Sequence, residues 1–279
     1  MTYNTILFER DATDAFATIT LNRPDKLNAM DGELLDELDA AVRRAVADPA
    51  INALIITGSG RAFTTGYDLN SDDFELDVEG WRDNIAANCE RLLTIWQAPI
   101  PIVAAVNGYA LAGGLELMMC CDLAVAAEDA RFGEPEVRHA SAPPSLAMPW
   151  LVPMRHTRML MYTGDLIDAR EAHRIHLVNS VVPAQDLKRV TEALARKLAR
   201  MPLPAIKFAK AALNHQQLAA GFQTSFDFNR ETTATLHATN EGRRWMRMLK
   251  EMPLSQFLKI REEPFADLDR AQATETRKG

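Results

Sequence analysis

The sequence predicts a mixed α/β fold that gives way to an almost purely helical end. Three observations carry this expectation. Two successive segments repeat the order strand, glycine-bearing loop, helix: Ala53 to Thr57 followed by Gly58-Ser59-Gly60, and Pro101 to Val106 followed by Asn107-Gly108. From about residue 200 onward the apolar positions recur only at helical spacing. Hydrophobic residues make up 47% of the 279 and charged residues 25%, the balance of a chain with a real core in one large domain or two smaller ones. That composition excludes a disordered chain.

The elements follow in order. Residues 3–10 and 15–22 alternate as two strands around an Asp11/Asp14 turn. Asn22 to Lys26 is a loop. Leu34, Leu35, Leu38, Val42 and Val46 give a helix from Asp31 to Val46, with Asp31 as its N-cap. Ala53 to Thr57 is a short buried strand, Asp68 to Asp77 a polar loop, and Trp81 to Trp96 a helix. Pro101 to Val106 is the next strand, Gly113 to Cys121 the next helix, and Asp122 to Ala126 the strand after it. Beyond Pro143-Pro144 the pattern predicts helices over Leu146–Tyr162, Ala169–His176, Ala184–Ala199, Pro204–Ala220 and Phe222–Leu249, with one strand at Leu177 to Val182. The charged stretch Pro264 to Gly279 reads as a frayed end.

Charge and cysteine content narrow the function. The formal net charge of −7 argues against a nucleic-acid partner. Three cysteines, Cys89, Cys120 and Cys121, make no disulfide framework. Met1 to Asp11 carries Glu9 and Asp11 and no apolar h-region, so no signal peptide is expected and the predicted location is cytoplasmic. Ala98 to Leu115 runs for 18 positions without a charge, the length of a short membrane span. Its Pro99, Pro101, Asn107, Gly108, Gly113 and Gly114 break it into strand, turn and helix start, so no membrane partner is expected.

Candidate chemistry divides between functional and structural readings. Gly58-Ser59-Gly60 follows a strand, but a dinucleotide fingerprint needs glycine where Phe63 stands; a tight turn is the better reading. Gly113-Gly114 opens a helix whose first N–H groups are unpaired, which suits an oxyanion; close packing against a strand explains the pair equally well. Glu116 lies in the first turn of an otherwise apolar helix. It is either an acid stabilised by the helix dipole or a carboxyl tuned by burial for proton transfer. Glu136, taken alone, reads as a loop acid. His173 and His176 beside Glu171 supply too few ligands for a metal, and none is assigned.

Four ordered motifs together resemble the crotonase superfamily of enoyl-coenzyme A hydratases and isomerases. They are Asn22-Arg23-Pro24 with Asn28-Ala29-Met30, Gly60 to Leu69, Ala105 to Glu116, and Phe132-Gly133-Glu134-Pro135-Glu136. The resemblance implies a crotonase-like spiral of ββα units over residues 1–200 and a C-terminal α-helical trimerisation region over 201–279. It implies an acyl-coenzyme A thioester substrate, a homotrimer or dimer of trimers, and no cofactor, coenzyme A being part of the substrate. By motif, the backbone N–H groups of Tyr67 and Gly113 form the oxyanion hole. Lys26, Leu27, Ala29, Ala62, Asp68 and Leu69 take coenzyme-binding positions, and Glu116 and Glu136 are the catalytic acids. Isomerases of the family generally keep only the second acid, so the pair favours hydration. Isomerisation, thioester hydrolysis, retro-aldol cleavage and a non-catalytic RNA- or ligand-binding role are the alternatives. The chain departs from the family at His139 to Ser145, where a Gly-rich loop is usual, and at His176, where a helix-ending glycine is common. The basic-aromatic stretch near the C-terminus fits Met246–Lys250 or Phe257–Arg261.

Overall fold

The computed structural model describes residues 2–69, 76–143 and 147–269. Ten strands fall into two sheets. The first has the order β1 (Ile6–Arg10), β2 (Phe16–Leu21), β3 (Ala53–Gly58), β5 (Ile102–Val106), β7 (Leu123–Ala127) and β10 (Ser180–Val182). Only the β1/β2 hairpin is antiparallel. The second runs β4 (Ala62–Thr64), β6 (Tyr109–Leu111), β8 (Arg131–Gly133) and β9 (Ile167–Asp168), parallel except for β8/β9. The strand pairs β3–β4, β5–β6 and β7–β8 therefore each add one strand to each sheet before the next helix. β3 and β4 lead to α2 (Val78–Gln97), and β5 and β6 to α3 (Gly113–Cys120). This is the expected spiral of ββα units.

The large sheet is buried on both faces, which is why its strands read as unbroken apolar runs. Leu54, Ile56, Ile102, Ala104 and Val106 point into the main core, under α1 (Gly32–Ala47). Ala53, Ile55, Val103, Ala105 and Val125 point the other way, onto Leu187, Ala195 and Ala199 of α6 (Leu187–Ala199). Asp31 caps α1 as expected, its side chain accepting from the Leu34 N–H at 2.9 Å. No helix among the described residues is long and apolar enough to cross a membrane. The uncharged run from Ala98 instead forms β5, β6 and the start of α3.

Several expectations are revised. The 146–162 helix is a short 3-10 turn (Met148–Trp150) and then α4 (Met154–Thr163), because Pro153 has no N–H to continue a helix and instead starts one. The 222–249 helix is two, α8 (Phe222–His237) and α9 (Asn240–Glu251), divided where the Thr239 side chain caps α9 by accepting from the Gly242 N–H. A further helix, α10 (Leu254–Glu262), begins after Pro253. The short strands β4, β6 and β9 were not anticipated; three residues or fewer leave no period to read. Much of the 68–77 loop and the tip of the Pro143-Pro144 loop lie outside the described residues. Helices α5 (Ala169–Arg174) and α7 (Leu203–Ala219) form as expected.

The helical end is tied back onto the spiral rather than frayed throughout. Arg138 reaches Asp165 at 2.6 Å, Glu262 at 2.5 Å and Asp269 at 3.0 Å, and its guanidinium lies over the Phe265 ring. Lys210 of α7 is buried and pairs with Asp122 at 2.7 Å. α8 packs along α2. His176 adopts φ 66°, the left-handed conformation that a helix-ending glycine would take without strain.

The loop before α1 is locked by one side chain. Asn28 is fully buried with φ 55°, and its amide donates to the carbonyls of Ser59 (2.9 Å), Ala62 (2.8 Å) and Phe63 (3.2 Å). Its Oδ1 accepts from the Arg23 N–H at 2.9 Å. Replacing Asn28 with alanine strands these groups in a dry interior. Asn28→Ala should lower unfolding free energy by about 2–4 kcal/mol in urea titration; a loss below about 0.5 kcal/mol would show that the lock is dispensable.

Candidate active site

The site forms where the loop after β4 meets the start of α3. Met30 and Tyr67 make an isolated parallel bridge: the Met30 N–H donates to the Gly66 carbonyl at 2.8 Å, and the Asp68 N–H donates to the Met30 carbonyl at 2.9 Å. In that pattern the bridged residue's own N–H points away from its partner, so the Tyr67 N–H faces the opposite side. That side is α3. A Cβ on Gly66 would lie 3.0 Å from the Gly113 nitrogen, which measures how closely the two segments approach.

Helix α3 starts under strain. Ala112 is its N-cap, with φ 55° and ψ −134°, and its side chain has no capping role. The Leu115 and Glu116 N–H groups both donate to the Ala112 carbonyl, at 2.8 and 3.1 Å. No acceptor is found for the Gly113 N–H among the described residues. The Gly113 N–H thus stands at the positive end of a helix, close to the Gly66–Tyr67 segment. The structural reading of Gly113-Gly114, close packing, holds. A Cβ on Gly114 would collide with the Thr64 carbonyl at 2.3 Å, and one on Gly113 would meet the Tyr67 ring at 2.6 Å.

Both acids act on the Tyr67 side chain. Glu116 is fully buried in the first turn of α3. Glu136 follows β8 in the 3-10 turn Pro135–His139 and is half-buried. Burial pushes the Tyr67 phenol well above its usual range, and the charges of Glu116, Cys89, Cys120 and Glu136 add to this. The two glutamates therefore share the Tyr67 phenol as a neighbour. Burial also raises Glu136 to about 7, against hydrogen bonds and the Arg261 charge that pull it down. That is the range of a proton carrier at neutral pH.

The residues given coenzyme-binding positions fall along one rim. Lys26, Leu27 and Ala29 lie on the loop before α1, with Leu27 at φ 52°. Ala62 is fully buried in β4, so only its backbone is presented, and its carbonyl accepts from Asn28 and from Asn107. Asp68 is buried and paired with Arg23 at 3.0 Å and Lys26 at 3.5 Å, which makes it an anchor for the basic loop. Leu69 is the last described residue before the 70–75 segment. No group of three or more metal-ligating side chains that could hold a metal ion occurs among the described residues.

Sequence reasoning singled out His139 and Ser141 but missed their partners Trp81, His237 and Trp245. Trp81 of α2 lies edge-on to His237 of α8 with ring centroids 4.4 Å apart, and His237 Nε2 is 2.8 Å from Ser141 Oγ. His139 packs against Phe257 of α10 and Trp245 of α9. Burial depresses both histidines, His139 to about 3 and His237 to about 4, so both are neutral. Of the two basic-aromatic stretches, Phe257–Arg261 faces the Glu136 turn through Phe257 and Arg261. No local signal marks the contacts of His237 with Ser141 and Trp81 or of Phe257 with His139, because each spans more than ninety positions. Ala140 holds φ 55° where the family's glycines are missing, so the turn geometry persists without them.

The chain is similar to many known proteins along most of its length. It is 38% identical over 217 residues to a probable enoyl-CoA hydratase of Mycobacterium tuberculosis, covering 77% of this chain and 82% of that one. It is 37% identical over 231 residues to the crotonyl-CoA hydratase of Syntrophomonas wolfei, covering 81% and 86%. The crystal structure of an enoyl-CoA hydratase/isomerase from Xanthobacter autotrophicus superposes with a TM-score of 0.89 at 31% identity, covering 95% of this chain and 99% of that one. The enoyl-CoA hydratase/isomerase family matches residues 11–260, and the chain belongs to that family, the crotonase superfamily.

Proposed function

We propose that the chain is an enoyl-coenzyme A hydratase that adds water to a trans-2-enoyl thioester. What supports this reading is that the charges of Glu116 and Glu136 both act on the Tyr67 phenol, whose ring adjoins the start of α3. Attack of water at the β-carbon moves negative charge onto the thioester oxygen. The Tyr67 and Gly113 N–H groups meet that charge, each such donor typically contributing a factor of ~10²–10³. A water held between the glutamates gives its oxygen to the β-carbon and its proton, through a carboxyl, to the α-carbon on the same face. The relatives named as hydratases support the reaction. Isomerisation needs only one of the acids, and RNA binding fits poorly with a charge of −7.

The substrate's coenzyme lies, in this reading, along Lys26, Leu27, Ala29, Ala62, Asp68 and Leu69, and no further cofactor takes part. Three unpaired cysteines suit a reducing, cytoplasmic location. The assembly is a trimer or a dimer of trimers. Its support is α7, seventeen residues long, whose buried residue is Lys210 while Phe208 and Leu213 stand 76% and 64% exposed. A helix this apolar with no covered apolar face calls for another copy of the chain.

Two outcomes follow. Glu116→Gln and Glu136→Gln should each cut kcat for crotonyl-coenzyme A hydration by ~10²–10⁴ while leaving KM within a few-fold. Unchanged turnover in either variant removes that residue from the chemistry. Light scattering after size exclusion should give three or six times the 31.0 kDa of one chain, and Phe208→Glu with Leu213→Glu should shift it toward one. A wild-type protein that elutes as a single chain contradicts the assembly.

A further inference from the structure

A third carboxyl stands behind Glu136. Glu134 is 1% exposed, and neither of its oxygens has a hydrogen-bond partner among the described residues. It occupies the N-cap of the Pro135–His139 turn yet makes no capping bond, so its side chain serves some other purpose. A bare carboxylate this deep in protein, with no donor or cation on it, costs several kcal/mol. The neutral acid avoids that cost, and its O–H then needs an acceptor. One is at hand. Glu136 Oε2 is also buried and without a donor among the described residues. Pro135 separates the two residues, and their carboxyls are within hydrogen-bond reach of each other. The two orphaned groups satisfy each other if one proton lies between them.

We propose that Glu134 is a positioning residue that stays protonated and donates a hydrogen bond to Glu136 Oε2, leaving Glu136 Oε1 for the substrate. This deepens the hydratase reading and rests on it for the role of Glu136. The bond would fix the rotamer of the working acid and favour its charged form, as a donor to a carboxylate does. Other groups around the pair do not replace this donor. Glu116 of α3 repels negative charge on Glu134, and Tyr67 is a neutral phenol. Arg261 of α10 acts on Glu136 only at a distance. On the same turn, Arg138 is engaged with Asp165, Glu262 and Asp269, and His139 is neutral. The buried side chains of α4 are Thr157 and Leu160, and those of α5 are Ala169 and Ala172; none ionises. Asp168 of β9 caps the Glu171 N–H.

Two measurements test this. Infrared spectra of the ligand-free enzyme, with isotope-labelled glutamate, should show a protonated carboxyl at mildly alkaline pH that Glu134→Gln abolishes. In kcat/KM against pH, Glu134→Leu should move the Glu136 titration upward by about one unit, because the donor favouring the carboxylate is gone. Glu134→Gln keeps a donor and should leave that titration in place. A spectrum unchanged by Glu134→Gln overturns the proposal, as does a Glu134→Leu profile lowered uniformly with its titration unmoved. The infrared result needs no turnover, so it stands even if hydration fails, and it decides the matter if Glu134→Leu does not fold.

Discussion

The Met30–Tyr67 bridge ties the loop before α1 to the loop after β4 with two hydrogen bonds, and the site's geometry follows from them. A parallel bridge turns the middle residue's N–H outward, so the Tyr67 donor is aimed by backbone pairing and needs no side chain to place it. Asn28 holds the first loop against β4, and Arg23 holds it against Asp68. Gly66 and Gly114 then allow α3 to come so close that a Cβ on Gly66 would lie 3.0 Å from the Gly113 nitrogen. The cost appears as left-handed backbone at Leu27, Asn28 and Ala112. Strain at such positions is tolerated because the bridge, the amide bonds and the close packing over-determine them.

The acids depend on that scaffold from the other direction. The first turn of α3 carries Glu116 into the core, and β8 delivers Glu136 through one more turn of the spiral. Burial raises the Tyr67 phenol, the Cys89 thiol and Glu136 together. A site this poor in water strengthens every charge interaction within it. That favours catalysis at Glu136 and penalises any acid without a partner, which is the constraint under which Glu134 must find one.

Much of this was legible in the residues. The strand–glycine–helix repeat marked the units of the spiral, Asp31 marked a cap, and the motifs brought Tyr67, Gly113, Glu116 and Glu136 to attention. What sequence could not distinguish was why two glycines open α3; the collisions of an added Cβ with Thr64 and with Tyr67 show one serving packing and the other the site's wall. The second sheet stayed hidden because its strands are two or three residues long and are stabilised by pairing, with no local period. The contacts of His139 and Ser141 with Phe257 and His237, and of His237 with Trp81, stayed hidden because their members come from α2, α8, α10 and one turn. Glu134 was read only as part of a motif, since a buried acid and a loop acid look alike without burial.

The central claim is that two backbone N–H groups, fixed by the bridge and by the start of α3, polarise a thioester carbonyl. The most direct measurement is the carbonyl stretching frequency of a saturated acyl-coenzyme A bound to the enzyme, identified by ¹³C labelling of the thioester carbon. The account predicts a clear shift to lower frequency on binding relative to the thioester in water, as two short hydrogen bonds weaken the C=O bond. A bound thioester whose carbonyl frequency matches that in water would contradict it.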